Sequence, residues 1–117
     1  SYAAGIAYSL YGSITANYCY NSGAISGADG AGGIAPKAQF GTSDKANYSL
    51  NAGLITSSNG LAYQASNINT SCYYYSGNDL LNVLDNSPAV VEDALLMLNG
   101  GADDNFFTLS GGKIVVI

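Results

Sequence analysis

The chain has 117 residues, 48% hydrophobic and only 9% charged, with eight acids against three lysines and a net charge of −5. Arginine and histidine are both absent. Binding to nucleic acid or to anionic lipid needs clustered cations, so both are excluded, and without histidine the Ser-His-Asp and Cys-His forms of nucleophilic catalysis are excluded too.

This length predicts a single domain, 1–117, with one core. No run approaches the ~20 apolar residues of a membrane span. Ser1 is the start expected of an exported chain after leader removal, or of a chain cut at its N-terminus.

Over Ser1 to Tyr20, Ile6, Tyr8 and Leu10 alternate, as do Ile14, Ala16, Tyr18 and Tyr20. Two strands broken near Gly12 are expected; the four-residue steps Ile6, Leu10, Ile14 and Tyr18 leave an N-terminal helix as the alternative. Asn21 to Gly41 holds Gly23, Gly27, Gly30, Gly32 and Gly33 and reads as a long surface loop. Its spacing fits neither a phosphate loop nor a dinucleotide fingerprint.

Phe40 to Tyr63 reads as short strands in a meander, with a turn at Ser57-Ser-Asn-Gly60. In Asn67 to Tyr75 the alternation puts Cys72 on one face and Tyr73 and Tyr75 on the other, where two outward tyrosines would form contact surface. Cys19 and Cys72 have no metal-ligand spacing. A disulfide is favoured over two buried thiols, and closing so long a loop would contribute about 4 kcal/mol.

Asp79 to Leu98 has helical spacing: Leu80, Leu81, Leu84, then Val91, Leu95, Leu98. Pro88 divides it into a short piece, Asp79 to Leu84, and a firmer helix, Pro88 to Leu98, capped by Asn86 or Ser87 and ended by Gly100-Gly101. Residues 105–117 read as a final hairpin turning at Gly111-Gly112. Ile114, Val115, Val116 and Ile117 do not alternate, so both faces of that strand need cover, from the chain itself or from a neighbouring subunit. The expected fold class is therefore α+β, an antiparallel meander with a C-terminal helical segment over 79–98.

Candidate chemistry is sparse, and no enzyme is expected. Ser43-Asp44-Lys45 is a polar turn, and Glu92 and Asp93 are first-turn acids about 100° apart on a helix, not a facing pair. No cofactor is expected. Calcium is the one ion with a candidate site, at Asp103, Asp104 and Asn105, completed by Asp29 or backbone carbonyls. Asn47-Tyr-Ser49 and Asn69-Thr-Ser71 are glycosylation sequons, which in an exported protein would supply the solubility that charge usually supplies.

Low charge, small polar residues, outward tyrosines, one cysteine pair and the apolar strand Ile114 to Ile117 together resemble secreted prokaryotic pilin and fimbrial subunits, in composition and layout over the whole chain. The resemblance implies an extracellular structural subunit that polymerises with itself. Type IV pilins begin with a long apolar helix that Ser1 to Tyr20 does not supply. The implied helix then was cut away or belongs to a second, pilin-type chain, or assembly proceeds by strand donation. A secreted carbohydrate-binding or adhesive module, stacking sugar on Tyr11, Tyr73 or Tyr75, is the competing reading; a virion coat subunit is a variant of the first.

Overall fold

The computed structural model describes residues 2–6, 14–35, 45–58, 62–66, 68–101 and 106–117. Its architecture is set by very short extended segments that pair with the next turn of a coil and not with their neighbours in sequence. β1 (Tyr2–Ala4), β2 (Thr15–Asn17), β3 (Tyr20–Asn21), β4 (Ile25–Ser26) and β5 (Gly30–Gly32) are followed by β6 (Lys45–Asn47), β7 (Leu50–Asn51), β8 (Ile55–Thr56) and β9 (Ala62–Tyr63). Pairing is parallel throughout this part: β2 on β6 with Ala16 opposite Ala46, β3 on β7 with Tyr20 opposite Leu50, β4 on β8 with Ile25 opposite Ile55. On a further side β5 lies between β1 and β9. A third course begins with β10 (Ile68–Thr70) on β6 and β11 (Tyr73–Ser76) on β7. The chain is thus wound as a parallel β-solenoid.

This corrects the expected antiparallel meander, and the reason lies at the corners. Tyr18, Tyr48 and Ser71 occupy the same position in three successive courses and all have positive φ, 56°, 51° and 51°. Such a residue turns the strand out of its own direction after two or three residues, so no hairpin partner forms and the backbone groups pair with the course above or below. The sequence carries the same period. Ala16-Asn-Tyr-Cys-Tyr-Asn-Ser-Gly-Ala-Ile-Ser26 returns as Ala46-Asn-Tyr-Ser-Leu-Asn-Ala-Gly-Leu-Ile-Thr56, matched at Ala, Asn, Tyr, Asn, Gly and Ile.

Side chains divide between two apolar clusters. The apolar cluster inside the coil is mostly small: Ala16, Ala46, Ala65 and Cys72, with Ile34. On the outer face of the sheet formed by β3, β7 and β11, Leu50 and Tyr73 are buried and Tyr20 and Tyr75 half-buried, and a second layer covers them. That layer is the helix α1 (Val91–Leu98) with Ala94 and Leu98, and the hairpin β13 (Phe107–Ser110) and β14 (Lys113–Val116) with Phe107 and Ile114. Full burial of side chains such as Leu98, Phe107 and Ile114 is worth roughly 1.5–3 kcal/mol each, enough to hold an eight-residue helix that would not persist alone.

The C-terminal elements differ from expectation in a second way. Asp79 to Asn82 is not helix but β12 (Asp79–Asn82), antiparallel to β11 with Ser76 opposite Asp79, and Gly77 at φ 62° makes the turn. Pro88 bridges back to Leu81, and the Ala89 amide donates to the Leu80 carbonyl, so the segment before α1 stays extended. The helix begins at Val91 with Val90 as its cap residue and no side-chain cap; Asn86 and Ser87 lie upstream of it. Its end is as expected: Gly101 donates to the Leu96 carbonyl and Gly100 to that of Met97, both at positive φ, a Schellman arrangement. The hairpin also forms, with Gly111 and Gly112 at φ 60° and 81°.

The segment 21–41 was expected to be loop, yet it contains β4 and β5, and Gly30-Ala31-Gly32 is fully buried. Glycine here permits close approach. A Cβ on Gly33 would fall on the Gln64 carbonyl oxygen and lie 2.8 Å from the Asn51 side chain. Of the two expected N-terminal strands, the first, over Ile6, Tyr8 and Leu10, lies with Gly12 largely outside the described residues, and the second is divided by the corner at Tyr18 into β2 and β3, while β1 lies earlier, at Tyr2–Ala4. Gly33→Ala should lower stability by about 2 kcal/mol or more in urea unfolding, because backbone must shift to admit the methyl group. A change within a few tenths of a kcal/mol would mean that the coil is looser than this.

Candidate functional site

Stacking puts equivalent residues of successive courses about 4.8 Å apart, so every position becomes a row. The row inside the coil is polar. The Asn21 amide nitrogen donates to Asn51 Oδ1 and to the Gly23 carbonyl, both at 2.8 Å. That of Asn51 donates to Gln64 Oε1 at 2.9 Å and to the Gly53 carbonyl at 3.0 Å. Asn51 Oδ1 also accepts the Gly53 amide at 3.2 Å. Buried amides are costly unless paired, and the two-course repetition pairs them.

At the αL corner the row is aromatic. Tyr18 stacks on Tyr48 with ring centroids 5.1 Å apart and planes 11° from parallel, and Phe106 lies on Tyr18 at 4.4 Å. Beside it Asn47 donates to Asn17 Oδ1 at 3.0 Å. Tyr18, Tyr20, Phe106, Phe107, Val116 and Ile117 line a cleft of about 570 Å³. Its rim is apolar and open: Tyr18 is 38% exposed, Phe106 45%, Val116 48% and Ile117 66%.

One buried side chain holds the hairpin that carries this rim. Asn99, at the end of α1, accepts both the Phe106 and Phe107 amides on Oδ1, at 2.9 and 2.8 Å, and donates to the Phe107 carbonyl at 3.0 Å. Asn99→Ala would strand three backbone groups and should cost about 2–4 kcal/mol, visible as a lower urea midpoint. Unchanged stability would remove Asn99 as the clasp.

The residues singled out in the sequence are dispersed. Of the expected interface set, Tyr73 and Ile114 are buried in the outer cluster. Tyr75 is half-buried: its hydroxyl accepts the Ile114 amide at 2.8 Å, and Lys113 lies 5.4 Å from its ring centroid. Val115 is half-buried, and Val116 and Ile117 are exposed. Alternation puts Ile114 and Val116 on one face of β14; Ile114 lies in the outer cluster, and Val116, two residues further along the same face, is exposed beyond it. Tyr18, Tyr48 and Phe106 were not anticipated; the 30-residue repeat of Asn-Tyr was the signal that would have paired the first two.

Cys19 and Cys72 do not form the expected bridge; both are free thiols. They belong to one row, but Ser49 separates them, its hydroxyl oxygen accepting the Cys19 amide at 3.1 Å. Two courses are about 9–10 Å, beyond the ~7 Å Cα limit of a disulfide. Cys72 Sγ donates instead to the Ala46 carbonyl at 3.1 Å. Both sequon amides are engaged: Asn47 as above, and Asn69 donating to the Ser66 carbonyl at 2.8 Å and accepting its amide at 2.9 Å. Asp103, Asp104, Asn105 and Tyr11 lie outside the described residues. Among the described residues no group of three or more Cys, Asp or Glu is placed to hold a metal ion, and no helix is long and apolar enough to cross a membrane.

No family model, curated protein or solved structure matches the chain. The surface therefore has to be read from its own geometry.

Burial pushes the Cys72 thiol up to about 11 from an ordinary 9.0. Between those values the unfolded chain has lost a proton that the folded chain keeps. The contribution is thus complete below pH 9 and disappears as pH rises toward 11. A two-unit shift corresponds to about 2–3 kcal/mol. Cys72→Ala should flatten the fall in stability across that range, and Cys72 should label with a maleimide at neutral pH more slowly than half-buried Cys19. Equal labelling of the two thiols would contradict this burial.

Proposed function

We propose that the protein is a structural subunit of an extracellular filament or sheath, which associates with copies of itself through the apolar rim formed by Tyr18, Phe106, Val116 and Ile117. The carrying observation is that this rim is exposed, contiguous with an apolar cleft, and built on a rigid support, the hairpin clasped by Asn99. Large apolar side chains grouped at an open surface are a feature of association sites. The chain has only 9% charged residues, so little electrostatic repulsion opposes close lateral contact. The extracellular setting rests on composition, on the two sequons and on the resemblance to pilin and fimbrial subunits. A second, pilin-type chain as co-subunit belongs to the same reading.

A second reading is favoured by the Phe106–Tyr18–Tyr48 stack beside the Asn17–Asn47 row. Aromatic faces next to amide groups suit neutral oligosaccharides, as an adhesive module would require.

Sedimentation over a range of concentrations separates the two. The native protein should shift to larger species as concentration rises, and the double variant Val116→Lys, Ile117→Asp should stay monomeric with an unchanged circular dichroism spectrum. A native protein that remains monomeric throughout, yet shows saturable tyrosine fluorescence changes with neutral oligosaccharides, would replace the first reading with the second.

A further inference from the structure

The end of α1 places two structural requirements on neighbouring residues. Asn99 is 1% exposed, and its carboxamide clasps the hairpin by accepting the Phe106 and Phe107 amides and donating to the Phe107 carbonyl. Gly100 follows at φ 71°, the left-handed position that ends the helix, and a Cβ there would lie 2.9 Å from the Tyr18 hydroxyl oxygen. The clasp therefore fixes asparagine and the cap fixes glycine. Together they make Asn-Gly, the pair in which a backbone nitrogen most readily attacks the preceding carboxamide, because glycine sets no side chain against the attack.

The fold holds that reaction back by geometry. Ring closure needs the Gly100 nitrogen turned toward the Cβ side of Asn99. At ψ 8° it eclipses Asn99's own backbone nitrogen and stands well away from Cβ. The Gly100 amide is also engaged, donating to the Met97 carbonyl at 3.1 Å, and the carboxamide is held by the bonds of the clasp. Attack therefore requires that cap and clasp both open.

We infer that Asn99-Gly100 is a deamidation site gated by the hairpin, and that its conversion is a one-way release of β13 and β14 from the coil. Once the hairpin lifts and the last turn of α1 frays, the Gly100 nitrogen bonds to Asn99 Cγ. The bond from Cγ to Nδ2 breaks, and ammonia leaves with the proton that the Gly100 nitrogen gives up. One water then opens the five-membered imide at either carbonyl, giving aspartate or, with the backbone rerouted through Cβ and Cγ, isoaspartate. No electrons change hands, and water is the only co-reactant. Aspartate loses the donor to the Phe107 carbonyl and sets a charged oxygen against it where water scarcely reaches. Isoaspartate lengthens the backbone within the turn that Gly100 and Gly101 close on Met97 and Leu96. Neither product rebuilds the clasp. The release acts on the hairpin itself, whether or not its rim binds a second copy.

The test ages the full chain at mildly alkaline pH, folded in buffer or unfolded in urea, and follows amide-to-acid conversion by peptide mass. Asn59-Gly60, the other such pair in the sequence, lies outside the described residues and serves in urea as the measure of the intrinsic rate. Asn99 should match it in urea and convert at least about tenfold more slowly in the folded chain. Tyr75→Phe removes the acceptor of the Ile114 amide and should raise the folded-state rate at Asn99 about threefold or more. Chain aged in urea and refolded, like the variant Asn99→Asp, should exchange its Phe107 and Ile114 amides at least about tenfold faster than fresh chain, while the Leu50 and Ala52 amides, bonded within the coil, stay protected. Four results overturn the inference: Asn99 converts no faster in urea than when folded, Tyr75→Phe leaves its folded-state rate unchanged, the converted chain keeps Phe107 and Ile114 protected, or it loses protection at Leu50 and Ala52 as well.

Discussion

The carboxamide row Asn21, Asn51, Gln64 is the constraint on which the coil depends. A wall of two- and three-residue strands has too few ladder hydrogen bonds per strand to fix its own register, and its interior of alanines contributes little shape to do so. The amides supply what is missing. Asn21 donates to Asn51 in the next course, Asn51 donates across its own course to Gln64, and each asparagine also ties its own turn, Asn21 to Gly23 and Asn51 to Gly53, so a slip of one residue would strand several buried groups at about 1–3 kcal/mol each. Glycine at positions 5, 33 and 53 is the counterpart of this row, since a methyl group there would strike backbone of the next strand.

The second layer follows from the first. With small residues turned inward, the large ones of the same strands, Tyr20, Leu50 and Tyr73, face outward and need cover. The helix α1 and the hairpin supply it on one sheet only, and Asn99 joins the two by taking the first amides of β13. The cover is incomplete at its margin. Phe106 extends past the sheet to rest on Tyr18, and Val116 and Ile117 continue beyond the last residue that the helix reaches. The proposed association surface is thus the overhang of a layer that also closes the core.

Much of this was present in the residues, but in a period longer than the windows in which strands and helices are usually sought. Alternation around Tyr18 and Tyr48 marks extended chain correctly and says nothing of the partner strand; only the recurrence of Ala-Asn-Tyr and Asn-x-Gly at a 30-residue spacing points to parallel stacking. Leu80, Leu81 and Leu84 fit a helix and a two-faced strand equally, and Gly77-Asn78 tips them to the strand by turning β12 back on β11. The glycines of 27–33 look like loop by composition, although in a coil this narrow they are what lets β5 run between two other strands. Gly111-Gly112 and Gly100-Gly101 were legible because turn and cap are decided locally. The cysteines were not: their separation along the chain conceals that Ser49 lies between them in space.

Composition and edge chemistry finally point in one direction. Edge strands are usually protected by an inward or flanking charge, most often lysine, by proline, or by a bulge. Thr15, Ala16 and Asn17 of β2, Tyr20 and Asn21 of β3, and Ile25 and Ser26 of β4 include none of these, and Lys45, the one cation in the described part of the coil, sits on β6 in the middle of its sheet. The protection is missing where the buried Asn21 carbonyl also lacks a donor among the described residues. Among the described residues, β2, β3 and β4 are therefore built like the strands they pair with and not like guarded edges. The same lack of charge makes the pairing of course on course inexpensive in desolvation along the described coil.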